Sequence, residues 1–157
     1  MKVKLLLTGK TDQEYLITGM NEYINRLKPY VSLEVVFIST PRKWNVFPSA
    51  QRKELEGDLL IKHIERGDLC VLLDEGGKRY TSPGFAKFLQ EQMNRSVKNV
   101  LFIVGGPWGF AEKVTKRADM KLSLSPMTFS HQMVRLFFLE QLYRAFTIIR
   151  NQPYHNA

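Results

Sequence analysis

The chain has 157 residues, 44% of them hydrophobic and 24% charged, with a single cysteine. That size and mix suit one globular domain over residues 1–157 whose core needs no disulfide or metal, and no apolar run approaches the ~20 residues of a membrane span. Against 15 Asp and Glu stand 23 Lys and Arg, and the net charge of +8 favours a polyanionic partner through counterion release, nucleic acid first among them.

The first element is a short apolar strand over residues 3–7. Its three leucines are too few for a secretion signal and no small-residue cleavage site follows, so the expected location is the cytoplasm. Asp12 is placed to cap a helix whose apolar positions Leu16, Met20, Tyr23, Ile24 and Leu27 keep helical spacing. β-Branched and aromatic residues over 33–38 return the chain to a strand. A proline-bounded loop, 40–49, comes next. In it Arg42, Lys43 and Trp44 are the candidate RNA-binding residues, since cations meet phosphate and rings stack on splayed bases. A solvated loop with rings tucked beneath it is the alternative.

A helix over 49–66 carries Leu55, Leu59, Leu60 and Ile64 and stops at Gly67; His63 stands alone on it and reads as an ordinary helix residue. Residues 68–73 form a continuous apolar strand, the form expected of a parallel strand covered on both faces, with Cys70 as a buried, inert thiol. The strand ends in an acidic, glycine-rich turn over 74–81, where open α/β sheets collect ligands. Ser82 and Pro83 start a helix whose inward face is Phe85, Phe88, Leu89 and Gln92. The fourth strand, 99–104, runs into Gly105-Gly106-Pro107-Trp108-Gly109, whose paired glycines admit close approach by a ligand or by another segment of the chain.

A short helix over 110–118 leads to the fifth strand, 120–124, and then to Ser125-Pro126-Met127-Thr128-Phe129-Ser130-His131. Pro126 cannot donate to a ladder and Ser125 before it is pushed away from helical dihedrals, so this backbone exposes polar groups that a bound ligand could satisfy. Capping of the next helix by Ser130 or Thr128 is the alternative reading. The last helix, 132–149, is apolar on most sides, which predicts burial partly against a second subunit and hence a homodimer. Five alternations of strand and helix predict a parallel, doubly wound α/β sheet in one domain.

Several motifs fail. Gly9-Lys10-Thr11 lacks the earlier glycine of a phosphate-binding P-loop, and the run at Gly105 is not G-x-G-x-x-G. The three histidines have no carboxylate or cysteine at metal-ligand spacing, so no metal is expected.

The strand ends 72–77, 103–109 and 122–135, together with Glu140 to Phe146 and the terminal Pro153-Tyr154-His155, closely resemble the RlmH family, SPOUT-class methyltransferases of pseudouridine in 23S rRNA. The resemblance runs essentially end to end. It implies a SPOUT domain with a C-terminal trefoil knot, an obligate homodimer, S-adenosylmethionine as cofactor, and N3 of a pseudouridine in the helix 69 loop of the assembled ribosome as acceptor. By motif, the family's cofactor contacts fall on Leu73, Gly105, Leu124, Ser125, Pro126, Met127, Thr128 and Phe129. His155 is the candidate proton acceptor or base-orienting group, with Tyr154 and Arg144 beside it in the catalytic set; packing and a structural ion pair are the alternatives for these three. The family commonly has a cation after the histidine, where this chain has Asn156. A noncatalytic RNA- or ribosome-binding module is the competing function.

Overall fold

Continuous apolar strands must be covered on both faces, and the chain meets that demand by laying helices on each side of one sheet. The computed structural model describes residues 1–156. In chain order the elements are β1 (Lys2–Thr8), α1 (Glu14–Leu27), β2 (Ser32–Ile38), a 3₁₀ turn (Arg42–Val46), α2 (Ser49–Lys62), β3 (Leu69–Arg79), α3 (Ser82–Asn94), β4 (Asn99–Val104), α4 (Glu112–Arg117), β5 (Met120–Ser123) and α5 (Met133–Ile149). The five strands lie in the order β2-β1-β4-β3-β5, and every pairing is parallel.

Alternation along the strands divides the core. Leu5, Leu7, Val71 and Phe102 point to the face covered by α1, α3 and α5, where they meet Leu89, Phe138 and Leu142. Leu6, Cys70, Leu72, Leu101 and Ile103 point to the other face and pack on Leu60 of α2 and Val114 of α4. Phe102 anchors the first layer, its ring centroid 4.7 Å from that of Phe138. Cys70 is fully buried, and burial pushes its thiol up to about 11, so it stays protonated and inert.

Three local expectations are corrected. Asp12 does not cap α1; Gln13 holds the cap position and no side chain bonds there. α2 stops at Lys62 and not at residue 66, with His63 closing it through a 2.9 Å contact from Nδ1 to the Leu59 carbonyl oxygen. The acidic turn after Leu73 is not a free turn: β3 continues to Arg79, the register jumping between Leu73 and Lys78 so that Arg79 pairs with Ser123 of β5. Neighbouring β5 supplies ladder partners that a sequence reading cannot see, and the irregularity lets the acidic residues bulge outward. The paired glycines at 105 and 106 do admit close approach by other segments of the chain, since an added Cβ would meet the Phe110 ring at 3.0 Å and the Glu56 carboxylate at 2.8 Å respectively. The closest backbone approach is at Gly77, in the irregular part of the β3–β5 pairing, where a Cβ would lie 2.6 Å from the Lys121 carbonyl carbon and 2.7 Å from the Leu122 nitrogen. Among the described residues no helix is long and apolar enough to cross a membrane.

Candidate functional site

Parallel strands deliver their carboxyl ends to one edge, and the ends of β3, β4 and β5 surround a cavity of about 280 Å³ there. Leu73, buried at the end of the regular part of β3, and Gly105, just past β4, form its floor, and Leu124, Ser125, Met127, Thr128 and Phe129 close it from the β5 side. Seven of the eight candidate cofactor residues thus line one space, and Pro126 turns the chain between its neighbours without lining it. Val104, Leu122, Phe110 and Val134 complete apolar walls, while Asp74 and Glu75 set two carboxylates among them.

The wall is built by local hydrogen bonding. Ser123 Oγ donates to the Ser125 carbonyl (2.8 Å), and Ser125 Oγ accepts from the Met127 amide (3.0 Å), so the serines on either side of Leu124 curl the chain around Pro126. Thr128 Oγ1 hydrogen-bonds the Glu75 carboxylate and joins this loop to the β3 bulge. Ser130 Oγ accepts from the Met133 amide at 3.1 Å, at the first residue of α5, whose cap position is Gln132 with no side-chain bond of its own. Phe129 stacks on Phe137 with centroids 4.9 Å apart.

Two charged residues to which sequence reasoning gave no role hold the site in place. Arg135 is fully buried, without a carboxylate partner, and donates to the Thr8 carbonyl (2.6 Å), the Gly9 carbonyl (3.0 Å), Thr11 Oγ1 (2.9 Å) and the His131 carbonyl (3.2 Å). It ties the end of β1 to the start of α5. Glu56, on α2 and buried, accepts from the Gly106 amide at 2.9 Å and fixes the turn after β4; burial pushes its carboxyl above the usual range, with the Gly106 bond opposing. A charge inside the apolar stripe of α5 was the available signal for Arg135, whereas Glu56 sits in a charge-rich helix that offered none. His131 also lines the cavity, and burial, followed by the nearby Arg135, lowers its pKa, which keeps the ring neutral.

The candidate catalytic residues are elsewhere. Arg144 pairs with Glu140 (2.5 Å), Tyr154 donates to the same carboxylate (3.0 Å), and Arg144 Nη1 lies 3.3 Å from His155 Nδ1. None of the three lines the cavity. Arg144 is ten residues along α5 from Val134, which at ~1.5 Å per residue puts the cluster roughly 15 Å from the cavity's edge. Burial, then bonds to Tyr23 and Glu140, raise the Tyr154 pKa and keep it a neutral phenol. A guanidinium can only donate, so His155 Nδ1 accepts and Nε2 carries the proton; that Nε2 is buried with no partner among the described residues. The histidine thus keeps an enclosed N–H in the single chain.

Arg42 and Lys43 are exposed on the 3₁₀ turn, whereas half-buried Trp44 faces a second cavity beside the first. Among the described residues no group of three or more His, Cys, Asp or Glu could hold a metal ion.

The family described as "Predicted SPOUT methyltransferase" matches residues 1–155. Among curated proteins, the ribosomal RNA large subunit methyltransferases H of Christiangramia forsetii, Parabacteroides distasonis and Flavobacterium johnsoniae are 48%, 49% and 47% identical to the chain over 156 residues, each comparison covering 99% of both proteins. A match of that length and identity, on a chain whose strand ends converge as described, means that the chain belongs to the SPOUT methyltransferase family, within its RlmH group.

Proposed function

We propose that the chain methylates large-subunit ribosomal RNA, transferring a methyl group from S-adenosylmethionine to N3 of a pseudouridine in the helix 69 loop of 23S rRNA in the assembled ribosome. The observation that carries this reading is the convergence of Leu73, Gly105 and the 124–129 loop on one cavity, beside two carboxylates. The cavity fits the cofactor's parts. Aliphatic and aromatic walls suit an adenine, the absence of a side chain at Gly105 lets the Phe110 ring pack on the backbone at the cavity wall, and Asp74 and Glu75 suit a ligand bearing a sulfonium and an ammonium.

When bound, the cofactor supplies an already electrophilic methyl group, so the protein's share is alignment and help with the N3 proton. Leu73, Leu124 and Phe129 hold the nucleoside and exclude water. Arg144, braced by Glu140, places a positive charge where the deprotonated base becomes anionic, Tyr154 holds that carboxylate in place through its own O–H, and the His155 Nε2–H, unpaired among the described residues, is the donor left for the carbonyl edge of the base.

That assignment needs a homodimer, because one chain keeps the cluster and the cavity at separate ends of a segment. Two α5 helices packed antiparallel would carry each tail to the partner's cavity. Phe137, 41% exposed in the single chain beside Phe129, and the exposed Tyr15 and Met127 supply the apolar face for such contact. A trefoil knot completes the proposal: α5 lies on the α3 face whereas the β4–β5 connection passes over the α2 face, and the close backbone approach at Gly77 suits a threaded segment. The test of function is transfer of labelled methyl to ribosomes lacking the modification, followed by mapping of the labelled base; label absent from 23S rRNA refutes it. Mixing subunits altered at Gly105 with subunits altered at His155 tests the sharing, since active heterodimers are expected and none would form if each site were built from one chain.

A further inference from the structure

Beside the cofactor cavity lies a second one of about 260 Å³, between the end of β1, the 3₁₀ turn and the turn after β4. Thr8, Trp44, Arg52, Glu56 and Trp108 line it, and Gly106, Pro107 and His131 form a wall common to both cavities. The character of the second space differs from the aliphatic first. Both tryptophans of the chain are here, and the Arg52 guanidinium sits 4.9 Å from the Trp108 ring centroid, a cation–π platform already assembled.

The polar lining holds a buried acid. Thr8, only 6% exposed, sets its enclosed hydroxyl against the Glu56 carboxyl. Burial raises the pKa of the Glu56 carboxyl, so the wall holds an acid suited to sharing hydrogen bonds with a neutral ligand. Lys10 at the cavity, with Arg42 and Lys43 exposed on the adjoining turn, adds cations where a phosphodiester chain would run. Flat aromatic surfaces, an edge of hydrogen-bonding groups and cations outside match an extruded heterocycle on a phosphate backbone.

We propose that this cavity binds a second unpaired nucleobase of the RNA, a neighbour of the one methylated, and so sets the register of the loop against the methyl donor. The inference rests on the RNA methyltransferase reading and adds a subsite to it. Its test uses tryptophan emission. In the Trp108→Phe protein Trp44 is the only tryptophan, and a hairpin RNA carrying the substrate loop should quench it, while the same hairpin with an abasic nucleotide next to the target should not. Lys10→Met keeps an apolar stem and removes a cation at the cavity. It should bind the hairpin about tenfold more weakly, with thermal stability and calorimetric affinity for S-adenosylmethionine unchanged. Trp44→Ala should cost about ten- to a hundredfold in hairpin affinity, again without effect on the cofactor. If the hairpin binds but leaves Trp44 emission unmoved, or both variants bind it like the native protein, the subsite is refuted and the methyltransferase reading stands. If native protein neither binds the hairpin nor methylates ribosomes, the methyltransferase reading fails and the subsite falls with it.

Discussion

Arg135 offers the sharpest test of how this fold supports its site. Replacing it by Met keeps an apolar stem of similar reach in α5 and removes every donor, stranding the carbonyl oxygens of Thr8, Gly9 and His131 and the Thr11 hydroxyl. Four charge-assisted hydrogen bonds at ~1.5–3 kcal/mol each represent a gross loss of about 6–12 kcal/mol. Relief from holding a guanidinium out of water, with Asp12 only partly offsetting that burial, returns several of these. The net expectation is a destabilisation of about 3–5 kcal/mol, which for a domain of this size lowers Tm by about 10–15 °C. Urea unfolding with an unchanged slope measures it, and calorimetry should show weaker S-adenosylmethionine binding, because the freed start of α5 carries His131 and Val134 of the cavity. Arg135→Lys should fall between, since one ammonium cannot span four acceptors laid out for a planar fork. An Arg135→Met protein within about 1 kcal/mol of native stability and with native cofactor affinity would refute the claim that this residue holds the two ends together.

Gly77→Ala should cost about 2–3 kcal/mol in chemical denaturation, because the added methyl meets the backbone of Lys121 and Leu122 and no flexible side chain can yield; native-like stability would mean that β3 and β5 separate easily there. Gly105→Ala should change stability by less than about 1 kcal/mol, with the Phe110 ring giving way, while weakening cofactor affinity at least about tenfold by calorimetry. Glu56→Gln tests linkage. The folded pKa of Glu56 is raised, so the folded state holds the proton more tightly, and native stability should decline as pH rises from the unfolded value near 4.5 through the folded one. The Gln variant, which keeps an acceptor for the Gly106 amide, should lack that decline, and parallel pH profiles for the two proteins would count against a buried, reluctant carboxylate.

Most elements were legible because their signals are local. The continuous apolar run ending at Leu73 and the β-branched stretch ending at Val104 read as strands, and the Ser82-Pro83 start of α3 holds, with Thr81 Oγ1 accepting from the Gly84 amide at 3.1 Å. The bulged extension of β3 was not legible, since Lys78 and Arg79 are strand residues only because β5 lies beside them. Arg135 and Glu56 were missed for a related reason. Their partners are main-chain groups, three carbonyls for one and an amide for the other, and residue type carries no record of which backbone groups a fold leaves unpaired.

The sequence by itself determined a basic α/β chain with turns rich in glycine, proline and small hydroxyl residues at its strand ends, because hydrophobic period and turn chemistry act over a few residues. Only the tertiary structure decided that three of those ends enclose one cavity, that Trp44 faces a second cavity against its wall, and that Arg144, Tyr154 and His155 gather around Glu140 at the far end of α5. Strand order and helix direction set those distances, and both follow from how the whole chain buries its apolar surface, which no single stretch of it encodes.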